Sequence, residues 1–283
     1  MVERVHRPTR NVAICAPATP LKRKHAEAVR TLAAAEFPDV SLTFHDQCFV
    51  QDGHFAGSDD VRLEALLDCA NDRRFDAVWF AKGGYGSNRI AASFLQQAGE
   101  TARNKTYLGY SDCGTLLGAL YRAGIGRSVH APMPIDIKRE GGEAAIRRAL
   151  SWMMGDGEGL DASLGAEPAA AFNLYTLAML VGTRFMPSLE GHVLHIEEVG
   201  EYEYAIDRLL FHVFEHVRGL AGVRLGAVTH VPENDRPFGA DPVEIVRYWC
   251  KRYDVPYLGR SHIGHTATNS IVPFGLEAAS SAA

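Results

Sequence analysis

Short apolar runs and helical stripes alternate along the first half of the chain. Residues 11–16 (NVAICA) form an apolar run that stops at Pro17, the mark of a buried strand. From Leu21 to Ala35 the apolar residues Ala26, Val29, Leu32 and Ala33 recur at helical spacing. Val40 to Phe44 alternates as a strand does. Ser58-Asp59-Asp60 then offers a cap to a helix carrying Leu63, Leu66, Leu67 and Ala70. The run FDAVWFA at 75–81 predicts another buried strand, which closes on Lys82-Gly83-Gly84-Tyr85-Gly86. A fourth strand, Lys105 to Tyr110, leads directly into Ser111-Asp112 and a helical stretch through Leu116, Leu117 and Leu120. Such alternation predicts an α/β fold with a parallel sheet covered on both faces.

The pattern changes after Pro132 and Pro134. One helix is expected over 141–154, and the Gly-, Asp- and Glu-rich residues 155–167 read as a linker. Beyond it come a helix near Leu174–Val181, a strand at Val193–Val199, a helix from about Glu203 to Val217 and a strand at Arg224–His230. A last helix follows Asp241-Pro242, and a tail rich in Gly and His closes the chain. The expected division is a first domain over 1–134, a helix and linker over 135–167, and a second domain over 168–283. There is no internal repeat.

Composition narrows the function. The 283 residues are 47% hydrophobic and 22% charged, which is ordinary for a globular protein. Lys and Arg number 29 against 34 Asp and Glu, and no basic run occurs, so nucleic acid is not an expected partner. No apolar stretch approaches the roughly 18–20 residues of a membrane span. The start MVERVHRPTR is basic, but NVAICAPATP after it is too short and proline-broken for a signal-peptide core. Cys15, Cys48, Cys69, Cys113 and Cys250 are odd in number and form no C-x-x-C pair. They read as reduced thiols of a cytoplasmic protein.

The candidate chemistry begins at Gly109-Tyr110-Ser111-Asp112, where a strand meets a helix. A serine on that turn has its hydroxyl pushed out at the carboxyl end of the sheet, and the next amide, that of Asp112, is free to hold an oxyanion. A serine or aspartate before a helix is also an ordinary N-cap. A base is available at His265, in the polar stretch SHIGHTATN, and an orienting acid at Glu197 or Glu198, closing an apolar strand. Two other motifs compete. Gly84-x-Gly86-x-x-Arg89 follows a strand like a dinucleotide loop but lacks the third glycine. His212-Val213-Phe214-Glu215-His216 matches H-x-x-E-H, yet Ile206, Leu210, Val213 and Val217 form the buried stripe of that helix. The two histidines then lie on a solvated flank.

Taken in order, these stretches resemble the LD-carboxypeptidases (muramoyltetrapeptide carboxypeptidases), a family of serine peptidases. The resemblance runs nearly end to end. It includes Ala16-Pro17, Ala56-Gly57-Ser58-Asp59-Asp60-Val61-Arg62, Lys82-Gly83-Gly84-Tyr85-Gly86-Ser87-Asn88-Arg89, Gly109-Tyr110-Ser111-Asp112 and His130-Ala131-Pro132-Met133. In the second half it takes in Asn173-Leu174, Gly182-Thr183, Ile196-Glu197-Glu198-Val199, Tyr204-Ala205-Ile206-Asp207-Arg208, Gly264-His265 and Pro273-Phe274-Gly275.

The resemblance implies a flavodoxin-like parallel-sheet N-terminal domain and a smaller swivelling α/β C-terminal domain, with the site between them. It implies Ser111 as nucleophile, His265 as general base and Glu197 as the residue orienting it. The oxyanion would rest on the backbone of Asp112 and Gly84, with no metal or cofactor. Lys82, Tyr85 and Arg89 are candidates for holding the substrate, a murein tetrapeptide whose terminal D-alanine is released. The same resemblance implies a homodimer and cytoplasmic recycling of cell-wall peptides. Related readings are a serine peptidase giving self-immunity to peptide-nucleotide antibiotics, which uses an aromatic loop with no clear equivalent here, and a non-catalytic peptide-binding protein. The chain departs from the family at Lys82, where arginine is usual, at Ala171-Phe172, where Gly-Gly is usual, and in the shortness of the stretch before Asn173.

Overall fold

The computed structural model describes residues 9–276. Its first sheet is built from β1 (Arg10–Cys15), β2 (Val40–Phe44), β3 (Ala77–Phe80), β4 (Thr106–Gly109) and β5 (Arg127–His130). All five run parallel, in the order β5-β4-β3-β1-β2. Their connections are α1 (Arg23–Glu36), α2 (Asp59–Asn71), α3 (Ser87–Gln97) and α4 (Gly114–Ala123). The Ser58 hydroxyl caps α2 by accepting from the Val61 amide, as the sequence leads one to expect. All of β3 is buried, because helices cover both faces of the sheet. One face carries α5 (Gly142–Met153), whose Ile146, Ala149, Leu150 and Met153 join Val12, Ile14 and Trp79 in a single apolar cluster.

The second sheet follows: β6 (Ala169–Asn173), α6 (Leu174–Leu180), β7 (Val193–Val199), α7 (Glu203–His216), β8 (Gly222–Thr229), α8 (Pro242–Arg252) and β9 (Tyr257–Arg260). Its strands are parallel in the order β6-β7-β8-β9. The chain then returns, and β10 (Val272–Pro273) pairs antiparallel with β5 of the first sheet. Two residues on, Gly275 and Ala169 exchange backbone hydrogen bonds of 2.8 and 3.0 Å. One short segment thereby joins the two sheets. A continuous core runs between them, in which Phe172 meets Phe274 with ring centroids 5.1 Å apart. The Phe172 departure from the family pattern thus fills core space between the sheets.

Strand order reverses between β1 and β3, and a crevice opens outside the carboxyl ends of strands at such a point. Lys82-Gly83-Gly84 leaves β3 there, and Ser111 leaves the neighbouring β4. All five cysteines are buried free thiols. Among the described residues no helix is long and apolar enough to cross a membrane.

Candidate active site

Ser111 has φ +60°, a left-handed conformation that a residue with a side chain rarely adopts. Such strain costs on the order of 1–3 kcal/mol and persists only where the surroundings enforce it. Both neighbours of Ser111 are fixed. The buried Tyr110 hydroxyl donates to Asp136 Oδ1 at 2.8 Å. The Asp112 carboxylate accepts from the Gly86 and Ser87 amides, and Ser87 Oγ donates to the Asp112 carbonyl at 2.7 Å. Burial pushes the Asp112 carboxyl above its usual range against the pull of these donors. The same bonds fill the N-terminus of α3 with a protein carboxylate. The Gly84-x-Gly86-x-x-Arg89 turn therefore has its phosphate position taken.

The strained turn points the Ser111 hydroxyl at His265, whose Nε2 lies 3.1 Å from Oγ. His265 Nδ1 lies 2.8 Å from Glu197 Oε2, and Glu197 is fully buried. A carboxylate accepts, so Nδ1 carries the proton and Nε2 is free to receive another. Glu198, the alternative acid, faces away and caps α6. It accepts from the Tyr175 amide, Asn173 Nδ2 and its own neighbour Val199, each at 2.8 Å. Burial pushes the Glu198 carboxyl up to about 7. Consecutive glutamates are both buried because the β7–β8 register shifts between Ile196 and Glu198.

Two further residues hold the His265 loop and were not singled out from the sequence. Asp161 is buried and accepts from the His262 amide at 2.7 Å and Ser270 Oγ at 2.6 Å. Burial raises its pKa, but donors from Ser163, Ser270 and His262 together carry it below the usual value. Arg148 of α5 donates to the carbonyls of Ala267 and Asn269 at 3.3 and 2.7 Å. Asp161 sits in the stretch read as a linker, where a polar, aperiodic sequence hides it.

The backbone at 83–84 comes against the serine. A Cβ added at Gly83 would stand 3.0 Å from Ser111 Cβ and 3.1 Å from its Oγ, so any side chain there would press on the serine. Gly84 has φ +113°, and a Cβ there would meet Thr19 Cγ2 at 2.6 Å. Among the described residues the amides of Gly84 and Asp112 donate to no acceptor, so both are free to donate.

The other sequence candidates divide. Lys82 Nζ is 3.4 Å from the Pro20 carbonyl, and burial, with Lys138 and Lys22 nearby, lowers its pKa. No carboxylate pairs with Lys82 among the described residues. Arg89, in contrast, gives its Nε to both oxygens of Asp59 at 2.8 and 2.9 Å. Tyr85 is exposed beside His54 and Phe55. The buried Arg62 secures this wall by donating to the carbonyls of Pro17, Gly57 and Gly86. On α7, His212 and His216 lie away from the core, His216 Nδ1 against the His212 carbonyl at 2.8 Å. Glu215 accepts from the Tyr253 hydroxyl.

A serine on an imidazole held by a buried carboxylate is an arrangement suited to acyl transfer. Residues 12–131 match the LD-carboxypeptidase N-terminal domain and residues 170–279 the LD-carboxypeptidase C-terminal domain. The chain belongs to the LD-carboxypeptidase family and is a serine-type carboxypeptidase. It is 26% identical to the murein tetrapeptide carboxypeptidase of Pseudomonas aeruginosa, over 93% of this chain and 91% of that one. It is also 26% identical to the probable murein peptide carboxypeptidase of Bacillus subtilis, over 95% and 88%. The muramoyltetrapeptide carboxypeptidase of Oxalobacter formigenes shares the fold with a TM-score of 0.78 at 19% identity, over 95% of this chain and 96% of that one. MccF in complex with glutamyl sulfamoyl guanosine shares it with a TM-score of 0.75 at 14% identity, over 94% and 91%.

Proposed function

We propose that the enzyme releases terminal D-alanine from a murein tetrapeptide by hydrolysing the L-to-D amide. The observation that carries this reading is the line from Ser111 through His265 to the buried Glu197, with contacts of 3.1 and 2.8 Å. Ser111 attacks the scissile carbonyl while His265 takes its proton and Glu197 holds the imidazole. The Asp112 and Gly84 amides receive the oxyanion. His265 then protonates the leaving amine, and water, activated by the same histidine, hydrolyses the acyl-enzyme. Lys82 receives the terminal carboxylate, with Lys22 and Lys138 adding positive charge. Arg89 is already paired with Asp59, which favours Lys82 for that role. Tyr85 forms a wall beside the leaving residue. The murein-peptide relatives support this substrate class.

A cytoplasmic homodimer belongs to the same proposal, and light scattering on the purified protein tests the dimer. The reaction is tested with tetrapeptides ending in D-alanine and in L-alanine, alongside an aminoacyl sulfamoyl nucleoside. Release of D-alanine from the first alone is expected. Turnover of the nucleoside conjugate alone would assign the chain to the self-immunity branch instead.

A further inference from the structure

His130 ends β5 and lies directly opposite Gly109 of β4, two residues before the nucleophile. It is fully buried. Its Nε2 is 3.0 Å from Asn269 Oδ1, and that oxygen also accepts from the Gly264 amide at 2.9 Å. The Gly264 N–H can only donate, so the atom it meets is the amide oxygen. His130 therefore carries its proton on Nε2. Burial lowers the pKa of His130. Gly264 immediately precedes His265. A closed circuit results: Ser111, Tyr110 and Gly109 on one side; His130, Asn269, Gly264 and His265 on the other. The Tyr110 ring fills its middle, with centroids 5.5 Å from His130 and 4.9 Å from His265.

We propose that His130 is a positioning residue that, through its hydrogen bond to Asn269, sets the distance between Ser111 and His265. The inference rests on the triad reading above. Asp161 and Arg148 also fasten the histidine loop, but from the segment between the sheets and from α5. His130 instead reaches the loop from the strand beside the one that carries the serine. Loss of its bond lets the loop shift relative to Ser111 without opening the substrate cleft. A misplacement of about 1 Å at reacting atoms can cost roughly a hundredfold in rate.

The test uses a fluorophosphonate, which reports the reactivity of Ser111 whatever the natural substrate is. The serine oxygen bonds to phosphorus, fluoride leaves, and the proton passes to His265. His130→Leu should slow labelling of Ser111 about ten- to a hundredfold. His130→Gln, which returns an N–H near the Nε2 position, should recover most of that rate. Asn269→Ala should slow labelling from the other end of the bond and gives the reading if His130→Leu does not fold. With the tetrapeptide, kcat should fall while KM holds. Unchanged labelling in folded His130→Leu and Asn269→Ala would overturn the proposal. Equal loss in His130→Leu and His130→Gln would make the residue a packing element and overturn it too. Wild-type protein that takes no label at Ser111 would remove the triad itself, and the proposal with it.

Discussion

Ser111 Oγ stands 3.1 Å from His265 Nε2, although the serine follows β4 of the first sheet and the histidine follows β9 of the second. The contact is made with Ser111 held at φ +60°. The strain and the reactivity separate by mutation. Ser111→Ala should lower turnover by several orders of magnitude and keep the fold. Ser111→Gly should be equally inactive but more stable than Ser111→Ala, by about 1 kcal/mol, because glycine accepts the left-handed region. That difference is worth about 2 °C in melting temperature. Equal melting of the two variants would show that the turn stores no strain.

His195 supplies a pH prediction. It is fully buried, neither ring nitrogen has a partner among the described residues, and burial above all pushes its imidazole down to about 4. The unfolded chain takes up a proton near pH 6.5, whereas the folded protein resists it until about pH 4. The stability that the neutral ring allows is therefore present above about 6.5 and drains away as pH falls through that interval. His195→Leu removes the proton-binding site from both states. Its stability relative to wild type should rise steadily between pH 7 and 4.5 in urea unfolding. A difference that does not change with pH would contradict the burial argument.

Asp161 should matter to activity despite lying outside the triad. Its carboxylate receives the His262 amide, the Ser270 hydroxyl and the Ser163 amide and hydroxyl. Asn at this position has one acceptor oxygen where the carboxylate has two. Asp161→Asn should therefore cost about 1–3 kcal/mol of stability and reduce kcat more than KM. Paired urea titrations and steady-state kinetics would show it. An unaltered kcat would mean that the loop keeps its shape without this anchor.

The elements legible in the sequence were those with their own periodicity. β1, β3 and β4 are apolar runs, and α1, α2, α4, α5 and α7 are striped helices. β5 is RSVH and β9 is YLGR, each as short as β3 but broken by charged or polar residues, so neither shows an apolar run. β6 is AAAFN, and alanine reads locally as a helix former. Its burial comes from the C-terminal segment packing beside it. β10 is two residues whose pairing with β5 no local pattern encodes. α3 was hidden behind the glycine turn that starts it. The serine turn read locally as either a nucleophile or a helix N-cap, and the resemblance chose the nucleophile. The residue pair Glu197-Glu198 could not be resolved locally, because both close the same strand and both are buried; only the direction of each side chain tells them apart.

Lys82 stands where the family resemblance leads one to expect arginine. Its ammonium is partly withdrawn from water, has no carboxylate partner among the described residues, and has Lys22 and Lys138 near enough to lower its pKa further. Like charges gathered without an acid destabilise the free enzyme, and an arriving carboxylate relieves them. A charge-assisted hydrogen bond of this kind is worth about 1.5–3 kcal/mol, or roughly ten- to a hundredfold in KM. Lys82→Met keeps the apolar stem and removes the charge. It should raise KM for a tetrapeptide ending in free D-alanine by that factor, with a much smaller change in kcat. A D-alanine amide, which lacks the carboxylate, should be processed equally by wild type and variant. Lys82→Arg should bind the free acid at least as well as wild type, because the guanidinium fork matches a carboxylate. The comparison of acid with amide is decisive: a Lys82→Met defect of equal size on both substrates would mean that Lys82 supports the Pro20 turn and does not meet the terminal carboxylate.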